Sequence, residues 1–505
     1  MSIVISTPKS LARRRLLTGL GCALAAAGTG AFLPQLSLLP SAHAAQGTGG
    51  GDYRALVCIY LAGANDSYNL LTPRDSELAG SRYDVYRSSR GGVWSGANPA
   101  GLALGFNDLL PITAQGSGSA FGLHPACADF DLSGPRSGLK SLFDGGHLGF
   151  VCNTGPLVRP LSKSEYNAGA PRPKQLFSHN DQELLWQLGL TDTNSPLAKY
   201  GWGGRVAAQA GFAPLPNGLS SAISLAGSAR YLVGDGVLPY QLDSGGVNLL
   251  DQYSQGAASN NFPEARRAVL DALLGAPQSN PYAREFAATT GRSLAVGEAL
   301  YGLLESPDGQ LATPFPVSSL GGQLAMVARM IKVSRSLGAQ RQVYFVRFGS
   351  FDLHSGMFVA GQPVASTGHG ALLTQLNQAV GAFWDALGEL GARSEVTTFS
   401  MSEFARTLSG NGNGSDHGWG GNQFVLGGAV NGGRLYGRYP DLQLDADDNA
   451  NQDWSFSRGQ YIPTTGVEQV GATLARWMGV TDSSALDAIF PNLPNFASRD
   501  LGFMA

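Results

Sequence analysis

Cysteine is scarce in this sequence, which has only four in 505 residues. Cys58, Cys127 and Cys152 lie beyond the amino-terminal segment, and no two of them have Cys-x-x-Cys spacing. A haem-attachment motif and a glycine fingerprint for dinucleotides are also absent, so a redox or haem protein is disfavoured. Cys58 and Cys152 lie in apolar, strand-like runs, where a buried free thiol is expected. One disulfide is compatible with an oxidising compartment, but the sequence does not select its pair.

Charge is also sparse, since Asp, Glu, Lys and Arg make up 14% of the chain and the formal net charge is −3. Residues 1–44 contain four of the 34 basic residues and no acidic one, which leaves 30 basic against 37 acidic residues and a net charge of −7. No basic block interrupts this acidic balance. We therefore expect neither nucleic-acid binding nor adhesion to anionic membranes.

The amino-terminal segment has the pattern of a twin-arginine signal peptide. Arg13-Arg14-Arg15 precedes a long uncharged stretch and the small-residue site Ala42-His43-Ala44, so residues 1–44 are predicted to be cleaved. A membrane anchor over residues 16–39 is the alternative, but four glycines and a proline interrupt that run. The expectation is a periplasmic or secreted protein without stable membrane insertion. Because this route exports proteins already folded, it mildly favours a metalloprotein.

Short apolar runs alternate with longer helical patterns in the rest of the chain. Five runs predict strands, namely Ala55–Leu61, Leu148–Cys152, Val343–Phe348, Val396–Met401 and Phe424–Leu426. Six patterns predict helices, namely Leu176–Leu188, Ala265–Leu274, Ala283–Leu304, Gly321–Leu337, Leu372–Leu390 and Val467–Met478. This alternation predicts an α/β fold with a mostly parallel central sheet and helices on both faces.

Residues 45–505 are expected to form one such domain. The middle region, about 215–320, has more helical pattern, no clear strand pair and none of the candidate ligands described below, which suggests a helical insertion or a cap over the sheet. The glycine-rich loop Ser409–Ser415 lies directly before one pair of candidate ligands. Glycine there allows close backbone approach or mobility, and a plain surface turn is the alternative.

Candidate metal ligands follow the predicted strand Val343–Phe348. In Asp352-Leu353-His354, a period of two places the carboxylate and the imidazole on the same side if the strand geometry persists. Two such ligands from one short segment are typical of a divalent-metal site, particularly for zinc. A hydrogen bond between Asp352 and His354 within a loop is the alternative.

Three further candidates lie nearby in the sequence. Glu403 follows the predicted strand Val396–Met401, and Asp416-His417 comes soon afterwards. Because ligand clefts in α/β sheets open at the carboxyl ends of the strands, these residues gain weight in combination with Asp352 and His354. The pattern predicts a metal site, with zinc as the first choice and calcium or manganese as alternatives.

Two earlier segments add candidates. Asp66 ends the first predicted strand and can bind a metal, or it can make a turn or cap the next helix. Ser178 occupies a predicted helix N-cap, where the helix dipole would stabilise an attacked phosphoryl or sulfuryl group, although capping explains it as well. His179 is a candidate ligand, proton shuttle or hydrogen-bonding partner. His124 and His369 lack neighbouring ligands in the sequence and are treated as structural residues or as outer partners of the ligands.

Motifs along the chain resemble one bacterial exported family, catalogued as domain of unknown function 1501. They are Leu61-Ala62-Gly63-Ala64-Asn65-Asp66, Gly122-Leu123-His124-Pro125, Phe177-Ser178-His179, Phe351-Asp352-Leu353-His354, Ser402-Glu403-Phe404-Ala405-Arg406-Thr407 and Asp416-His417-Gly418, with Gly432-Gly433-Arg434-Leu435-Tyr436-Gly437 and Tyr461-Ile462-Pro463-Thr464-Thr465. The resemblance covers essentially the whole chain after residue 44. This family looks like a branch of the alkaline phosphatase and sulfatase superfamily, which implies a fold of that type.

The superfamily resemblance implies that Asp66 binds metal, that late Asp and His residues complete the metal shell, and that Ser178 is the nucleophile with His179 beside it. The sequence departs from the superfamily in three ways. The spacing of Asp352 and His354 is short, Glu403-Phe404 stands where an Asp-His pair is expected, and a sulfatase-type Cys-x-Pro-x-Arg motif is absent. Unless Asp416-His417 supplies the missing imidazole, the loss of one such ligand points to a one-metal site or to a non-catalytic descendant.

Two functions follow as hypotheses. The first is an exported metal-dependent hydrolase of phosphate or sulfate esters, acting on a small-molecule or polymeric substrate. The second is a non-catalytic envelope binding or assembly protein on a degenerate scaffold of the same kind, which would hold a polymer or an envelope protein partner. Turnover of esters discriminates between them.

Overall fold

The computed structural model describes residues 53–212, 218–250, 263–448 and 452–505. The predicted signal peptide, residues 1–44, lies outside the described residues. Within these ranges, no helix is both long and apolar enough to cross a membrane. Cys58, Cys127 and Cys152 are all buried free thiols, so the described part of the chain contains no disulfide.

A nine-stranded sheet forms the centre of the described chain. Its strands lie in the spatial order Leu435–Gly437, Leu148–Gly155, Gly421–Leu426, Val396–Met401, Arg54–Leu61, Arg341–Phe348, Ala222–Ser224 and Tyr240–Gln241, with Thr465–Gly466 also paired to Leu148–Gly155. Six of the eight described pairings are parallel, and the two antiparallel ones both involve Gly421–Leu426. The predicted, mostly parallel α/β sheet is therefore confirmed.

Both faces of the sheet are covered, as the central strand Arg54–Leu61 illustrates. Leu56 and Cys58 point to one face and join a core that includes side chains of two helices, Trp202–Gln209 and Val467–Trp477. Val57 and Ile59 point to the opposite face and are equally inaccessible. Because successive strand side chains alternate between faces, a strand that is buried along its whole length must have helices or loops on both sides.

The described α-helices include all six that the sequence predicts, with ends that differ by four residues or fewer. They are Ser67–Leu70, Arg82–Ser89, Leu139–Asp144, Lys163–Asn167, His179–Leu188, Trp202–Gln209, Pro263–Gly275, Pro281–Leu304, Ser319–Ser336, Gly368–Glu389, Val467–Trp477 and Ser483–Ile489. Side-chain caps explain several of these starts. Ser318, for example, accepts a hydrogen bond from the Gly321 amide, so the helix begins directly after it.

Smaller sheets surround the central one in the described chain. One contains Leu71–Pro73, Leu110–Thr113 and Ala120–Leu123; the others contain Phe130–Asp131 with Pro135–Arg136, Arg406–Gly410 with Ser415–His417, and Asp447–Asp448 with Asp453–Phe456 and Gln460–Tyr461. The pair Arg406–Gly410 and Ser415–His417 is an antiparallel hairpin. It carries residues that matter for the site described below.

The middle region differs in part from the sequence-based expectation. Ala222–Ser224 and Tyr240–Gln241 pair in parallel and extend the central sheet, although no strand pair was expected there. Strands of three and two residues are too short to show a period of two, which explains why the pattern missed them.

The chain divides into two compact units, and residues 248–300 belong to the smaller one. In its described part, the Arg267 guanidinium binds both carboxylate oxygens of Glu298 at 2.9 Å and so joins its two helices. The prediction that the region 215–320 forms an insertion or a cap stays a prediction.

One buried acid should make the stability of this fold depend on pH. Glu468 lies in the first turn of the helix Val467–Trp477; one of its carboxylate oxygens accepts a hydrogen bond from Asn492, and the other has no partner. Burial raises the pKa of Glu468 from 4.5 to about 7, against the opposing effects of Asn492 and the charge of Arg205. Between pH 4.5 and pH 7 the folded protein keeps a proton on Glu468 that the unfolded chain loses. The free energy of unfolding therefore falls as the pH rises through this range.

We expect Glu468→Gln to raise the free energy of unfolding, relative to the unmodified protein, by about 2 kcal/mol more at pH 8 than at pH 5. Urea unfolding at the two pH values measures this difference. Glu285→Gln serves as the control, since its side chain is 72% exposed and should change stability equally at both pH values. An equal effect of Glu468→Gln at both pH values would contradict the assignment.

Candidate metal centre

The site forms where three parallel strands of the central sheet end together. Arg54–Leu61 lies between Arg341–Phe348 and Val396–Met401, and the register aligns Leu61 with Phe348 and Tyr60 with Met401. Because all three strands run in the same direction, the segments that follow them emerge at one edge of the sheet. The segments carrying Asp352 and Glu403 therefore leave the sheet beside the turn that follows Leu61.

Two glycines let these segments approach closely. Gly63 has a φ of +106°, and a Cβ atom there would lie 2.5 Å from the Asp352 amide nitrogen. Gly414, in the turn of the hairpin, faces the backbone of His354, where a Cβ atom would lie 2.3 Å from the carbonyl carbon. Neither position has room for a side chain. Of the alternatives for the loop Ser409–Ser415, the structure thus shows close backbone approach at Gly414.

Four side chains from three segments converge at this edge, since Asp352 and His354 come from one of them. His417 Nε2 lies 3.2 Å from His179 Nε2 and 3.1 Å from His354 Nε2. Asp352 supplies two oxygens: Oδ1 lies 3.0 Å from His354 Nε2 and 3.4 Å from His417 Nε2, and Oδ2 lies 3.4 Å from His179 Nε2. His179, Asp352 and His417 offer ligand atoms that are all within 4.8 Å of one another, and His354 extends this group.

The outer ring nitrogen of each histidine is held by an acceptor. His179 Nδ1 lies 2.7 Å from Glu403 Oε1, His354 Nδ1 lies 2.8 Å from Asp416 Oδ1, and His417 Nδ1 lies 2.8 Å from the Phe177 carbonyl oxygen. A carbonyl or an ionised carboxylate can only accept, so each Nδ1 carries the hydrogen of a neutral imidazole. The tautomers inferred from this network leave all three Nε2 lone pairs facing one another.

This arrangement fits a cation. The Nε2 lone pair of His417 faces those of His179 at 3.2 Å and of His354 at 3.1 Å, and lone pairs cannot hydrogen-bond to one another. A divalent cation beside His417 and Asp352 would satisfy them. Ligand atoms bound tetrahedrally to zinc at 2.0–2.1 Å are about 3.3 Å apart. The two separations of His417 Nε2 from the other imidazoles and the three between Asp352 oxygens and imidazoles, 3.0 to 3.4 Å, are close to that value. Imidazole with one carboxylate suits zinc better than calcium or magnesium, which prefer oxygen ligands.

Glu403 and Asp416 lie one hydrogen bond outside this group, although both were predicted to be ligands. Glu403 Oε1 accepts from His179 and from the Gly63 amide at 2.8 Å, while Oε2 accepts from Tyr60 at 3.1 Å. Asp416 accepts hydrogen bonds from His354, Asn411 and Arg458. With both oxygens of each carboxylate occupied, these residues orient the ligand imidazoles, as the outer partners of metal-binding histidines do.

Asp66 does not join the group either, which corrects its prediction as a ligand. It is buried, caps the helix Ser67–Leu70 by accepting from the Asn69 amide, and pairs with the fully buried Arg90. The helix-cap alternative for Asp66 is therefore the one that the structure supports. A buried carboxylate needs such a partner, and Arg90 supplies the compensating charge.

The two histidines treated as structural are buried and lie apart from the group. His369 Nε2 lies 2.8 Å from Asn65 Oδ1, and His124 accepts a hydrogen bond from the Ala126 amide. The rings of His124 and His369 meet edge to face with centroids 5.8 Å apart. Burial lowers the pKa of His124 well below its usual value, so its ring stays neutral inside the fold.

Ser178 is an N-cap as predicted, but its hydroxyl is directed away from the ligands. It precedes the helix His179–Leu188 and donates to Asp181 Oδ2 at 2.5 Å. No hydrogen bond joins Ser178 to any of the four ligand side chains in the described structure. His179, paired with it as a predicted catalytic residue, lies among the metal-binding donors instead.

Arg406 was quoted in a motif, yet sequence reasoning gave it no role. Its side chain is buried and donates to Asp352 Oδ1 at 2.6 Å. Burial alone would raise the pKa of Asp352, but the hydrogen bond and charge of Arg406 outweigh it and lower the pKa. Asp352 therefore stays ionised. Its distance of 54 residues from Arg406 in the sequence explains why no local pattern revealed this contact.

The surroundings shift the pKa values of two of the histidines in opposite directions. The hydrogen bond to Glu403 raises the pKa of His179, whereas burial, with help from the charges of His179 and Arg406, lowers the pKa of His417. Phe404 packs against both rings, with centroid distances of 4.9 Å and 4.7 Å. Phe404 thus supplies an apolar wall at the position where the superfamily pattern has an imidazole.

The site remains open to solvent. Side-chain exposure is 32% for His179, 42% for Asp352, 44% for His354 and 21% for His417. Glu403 and Arg406, by contrast, are buried beneath the ligands. A substrate can therefore approach the donors from one side while the orienting groups are shielded from water.

Comparisons with known proteins agree with the family resemblance. The model of a protein family of unknown function, DUF1501, matches residues 53–490. No curated protein matches the chain in sequence.

Solved structures give weak similarities. The protein named Ps i-CgsB is 10% identical with a TM-score of 0.34, covering 88% of this chain and 77% of its own. A Pseudoalteromonas sulfatase, PsFucS1, is 10% identical with a TM-score of 0.32, covering 94% and 72%. The phosphonate monoester hydrolase of Agrobacterium radiobacter is 11% identical with a TM-score of 0.25, covering 85% and 74%. TM-scores this low carry no argument about this chain, so the superfamily assignment stays a prediction.

Metal content tests the donor group directly. We expect the purified protein to contain about one equivalent of zinc per chain, and the double variant Asp352→Ala/His354→Ala to lose it, because two of four donors are removed. Elemental mass spectrometry measures both. Lys140→Gln, an exposed change on the helix Leu139–Asp144, is the control and should keep the metal. Equal metal in the double variant would show that the ion binds elsewhere.

The orienting role of Glu403 gives a second test. Glu403→Gln should weaken zinc binding by about 10- to 100-fold, since the amide no longer fixes His179 as strongly as the carboxylate does. Competition with a chromogenic chelator measures the affinity. Glu395→Gln is the matched control, because Glu395 pairs with Arg335 just before the strand Val396–Met401, at the opposite end from the site. Unchanged zinc affinity in Glu403→Gln would refute the orienting role.

Proposed function

The chain belongs to the DUF1501 family of proteins of unknown function, and from this premise we propose that it is an exported, metal-dependent hydrolase of phosphate or sulfate esters. The observation that carries the proposal is the meeting of three imidazole Nε2 atoms and one carboxylate whose outer atoms are all held by hydrogen bonds. Such preorganisation is what a reactive metal site requires.

His179, Asp352, His354 and His417 are the residues that would hold the metal, with zinc as the best match. A divalent cation there supplies Lewis acidity, which polarises an ester oxygen and lowers the pKa of a water. The chain fixes the geometry of that chemistry, since the outer hydrogen bonds select one tautomer for each imidazole. Arg406 keeps Asp352 ionised and therefore able to bind.

The same edge of the sheet favours an anionic ester. Arg458, which is 40% exposed, pairs with Asp416 beside the ligand His354, and Arg406 adds a second cation below Asp352. The exposed guanidinium of Arg458 would attract a phosphate or sulfate group and offset the charge on its oxygens, whereas the buried Arg406 acts through Asp352. Phe404 limits the water that reaches the inner side of His179 and His417.

We further propose that water, rather than Ser178, attacks the ester. The Ser178 hydroxyl donates to Asp181 Oδ2, so its hydrogen is engaged within the first turn of its own helix. In hydrolysis by water, a new oxygen bond forms to phosphorus or sulfur and the bond to the ester oxygen breaks. The leaving alcohol takes up a proton, and the proton from the attacking water passes to solvent. Small-molecule and polymeric esters both remain candidate substrates in a periplasmic or secreted location.

One observation favours the alternative of a non-catalytic envelope binding or assembly protein. The site offers four protein donors, the number that structural zinc sites typically use, whereas catalytic zinc sites typically use three and keep a position for water. Under this alternative the metal would brace the loops that hold a polymer or an envelope protein. The exposure of the four donor side chains supports the hydrolase, because water and a substrate could reach a metal held there.

Ester turnover separates the two functions. We expect the zinc-loaded protein to hydrolyse para-nitrophenyl phosphate or sulfate, Asp352→Ala to lose at least about 99% of kcat/KM because the metal site is broken, and Ser178→Ala to retain activity within about threefold. Initial rates by absorbance measure this, with Lys140→Gln as the control. Loss of activity in Ser178→Ala would support Ser178 as the nucleophile. No turnover by the zinc-loaded protein would favour the alternative of a non-catalytic binding or assembly protein.

A further inference from the structure

A cavity of about 540 Å³ lies along the helix that carries His179. Asn180, Glu183, Leu184 and Gln187 line it at a spacing of three and four residues, so they form one face of the helix His179–Leu188. This face is about 10 Å long at 1.5 Å per residue. The cavity therefore begins one residue after a metal-binding histidine and continues away from it.

The opposite wall comes from the segments around the short edge strands. Ser228, Arg230 and Gln241 line it, with Arg347 at the end of the strand Arg341–Phe348. Ala229, Val233 and Pro239 add small aliphatic surfaces, and none of the described lining residues is aromatic. Seven of the eleven lining residues can hydrogen-bond through their side chains. An apolar ligand would leave these groups unpaired, and a nucleotide base would find no ring to stack on.

The positive and negative charges that line the cavity do not cancel. Glu183 pairs with Arg347, while Arg230 is exposed and forms no ion pair among the described residues; its guanidinium donates only to the Lys199 carbonyl oxygen, at 2.9 Å. Asn180 is exposed and has no hydrogen-bond partner in the described structure. The cavity thus presents one uncompensated cation together with amide and hydroxyl groups that suit a polyhydroxylated ligand.

The cavity is also connected to the metal-binding group. The Arg347 guanidinium lies 5.2 Å from the centre of the Tyr60 ring, Tyr60 donates to Glu403, and Glu403 holds His179. Asn180 also follows His179 directly in the chain, so the wall of the cavity and the donor group share one helix as well as this chain of contacts. The two sites would share one extended substrate.

We propose that this cavity binds the carbohydrate part of the ester, namely an oligosaccharide that carries a sulfate or carboxylate group recognised by Arg230. The inference rests on the proposed hydrolase for its place in the reaction, but binding in the cavity does not require turnover. Arg230 pairs with the anionic group, while Asn180, Ser228 and Gln241 bind hydroxyl groups. Leu184, Val233 and Pro239 contact the carbon faces of the sugar rings.

Titration calorimetry with a chondroitin sulfate tetrasaccharide tests this, with protein that is zinc-loaded and protein stripped by a chelator. Binding is expected in both forms. Arg230→Gln should weaken it at least about fivefold, because a charge-assisted hydrogen bond is lost. Glu183→Gln should strengthen it, because Arg347 is freed from a competing charge. Lys140→Gln, which does not line the cavity, should change nothing. Arg230 is exposed, so its variant should fold, and thermal unfolding checks this.

The other probes identify the anionic group. Desulfated tetrasaccharide retains only carboxylates, so weaker binding assigns sulfate and equal binding assigns carboxylate. Equal binding of neutral maltotetraose, no binding of any tetrasaccharide, or indifference to both Arg230→Gln and Glu183→Gln would overturn the proposal. Tetrasaccharide binding without any ester turnover would support carbohydrate binding in the cavity and reject the hydrolase. Turnover of para-nitrophenyl esters without tetrasaccharide binding would support the hydrolase and reject carbohydrate binding in the cavity.

Discussion

The parallel pairing of Arg54–Leu61 with a strand on each side is the constraint on which the site depends. It fixes the three strand ends at one edge of the sheet, so the segments that follow must share a small volume. Gly63 makes that sharing possible, because its missing side chain lets the backbone at Asp352 lie against it while its amide binds Glu403. Every ligand position downstream depends on this close approach.

A second level of order comes from hydrogen bonds around the imidazoles. Each histidine has an acceptor on its outer nitrogen, one a buried carboxylate, one a partly exposed carboxylate and one a backbone carbonyl. These acceptors set the tautomers and leave three lone pairs turned inward. Without a cation, or without protonation of a ring, that arrangement is repulsive. The protein therefore holds the imidazole donors in an arrangement that is favourable only when a positive charge is bound between them.

The charge balance also explains why the site differs from the arrangement that the superfamily resemblance implies. Asp66 is neutralised by the buried Arg90, and Phe404 offers an apolar ring where a ligand was expected. Neither Asp66 nor Phe404 therefore supplies a donor to the site. His179, from a distant helix, adds one at the outer side. The described residues thus support a single centre, consistent with the loss of an imidazole that the sequence already indicated.

Local patterns in the sequence determined the strands, the helices and the segments that carry Asp352, His354 and His417, because hydrophobic periodicity and strand ends are short-range signals. They also placed Ser178 at a helix start. Which side chains meet was decided only by the tertiary structure, because it depends on parallel pairing across hundreds of residues. Hence Glu403 and Asp416 lie one hydrogen bond outside the candidate donors, His179 lies among those donors, and Asp66 caps a helix. The physical reason is that both oxygens of Glu403 and Asp416 are satisfied by partners far away in the sequence, whereas Asp352 keeps its carboxylate turned towards the three imidazoles.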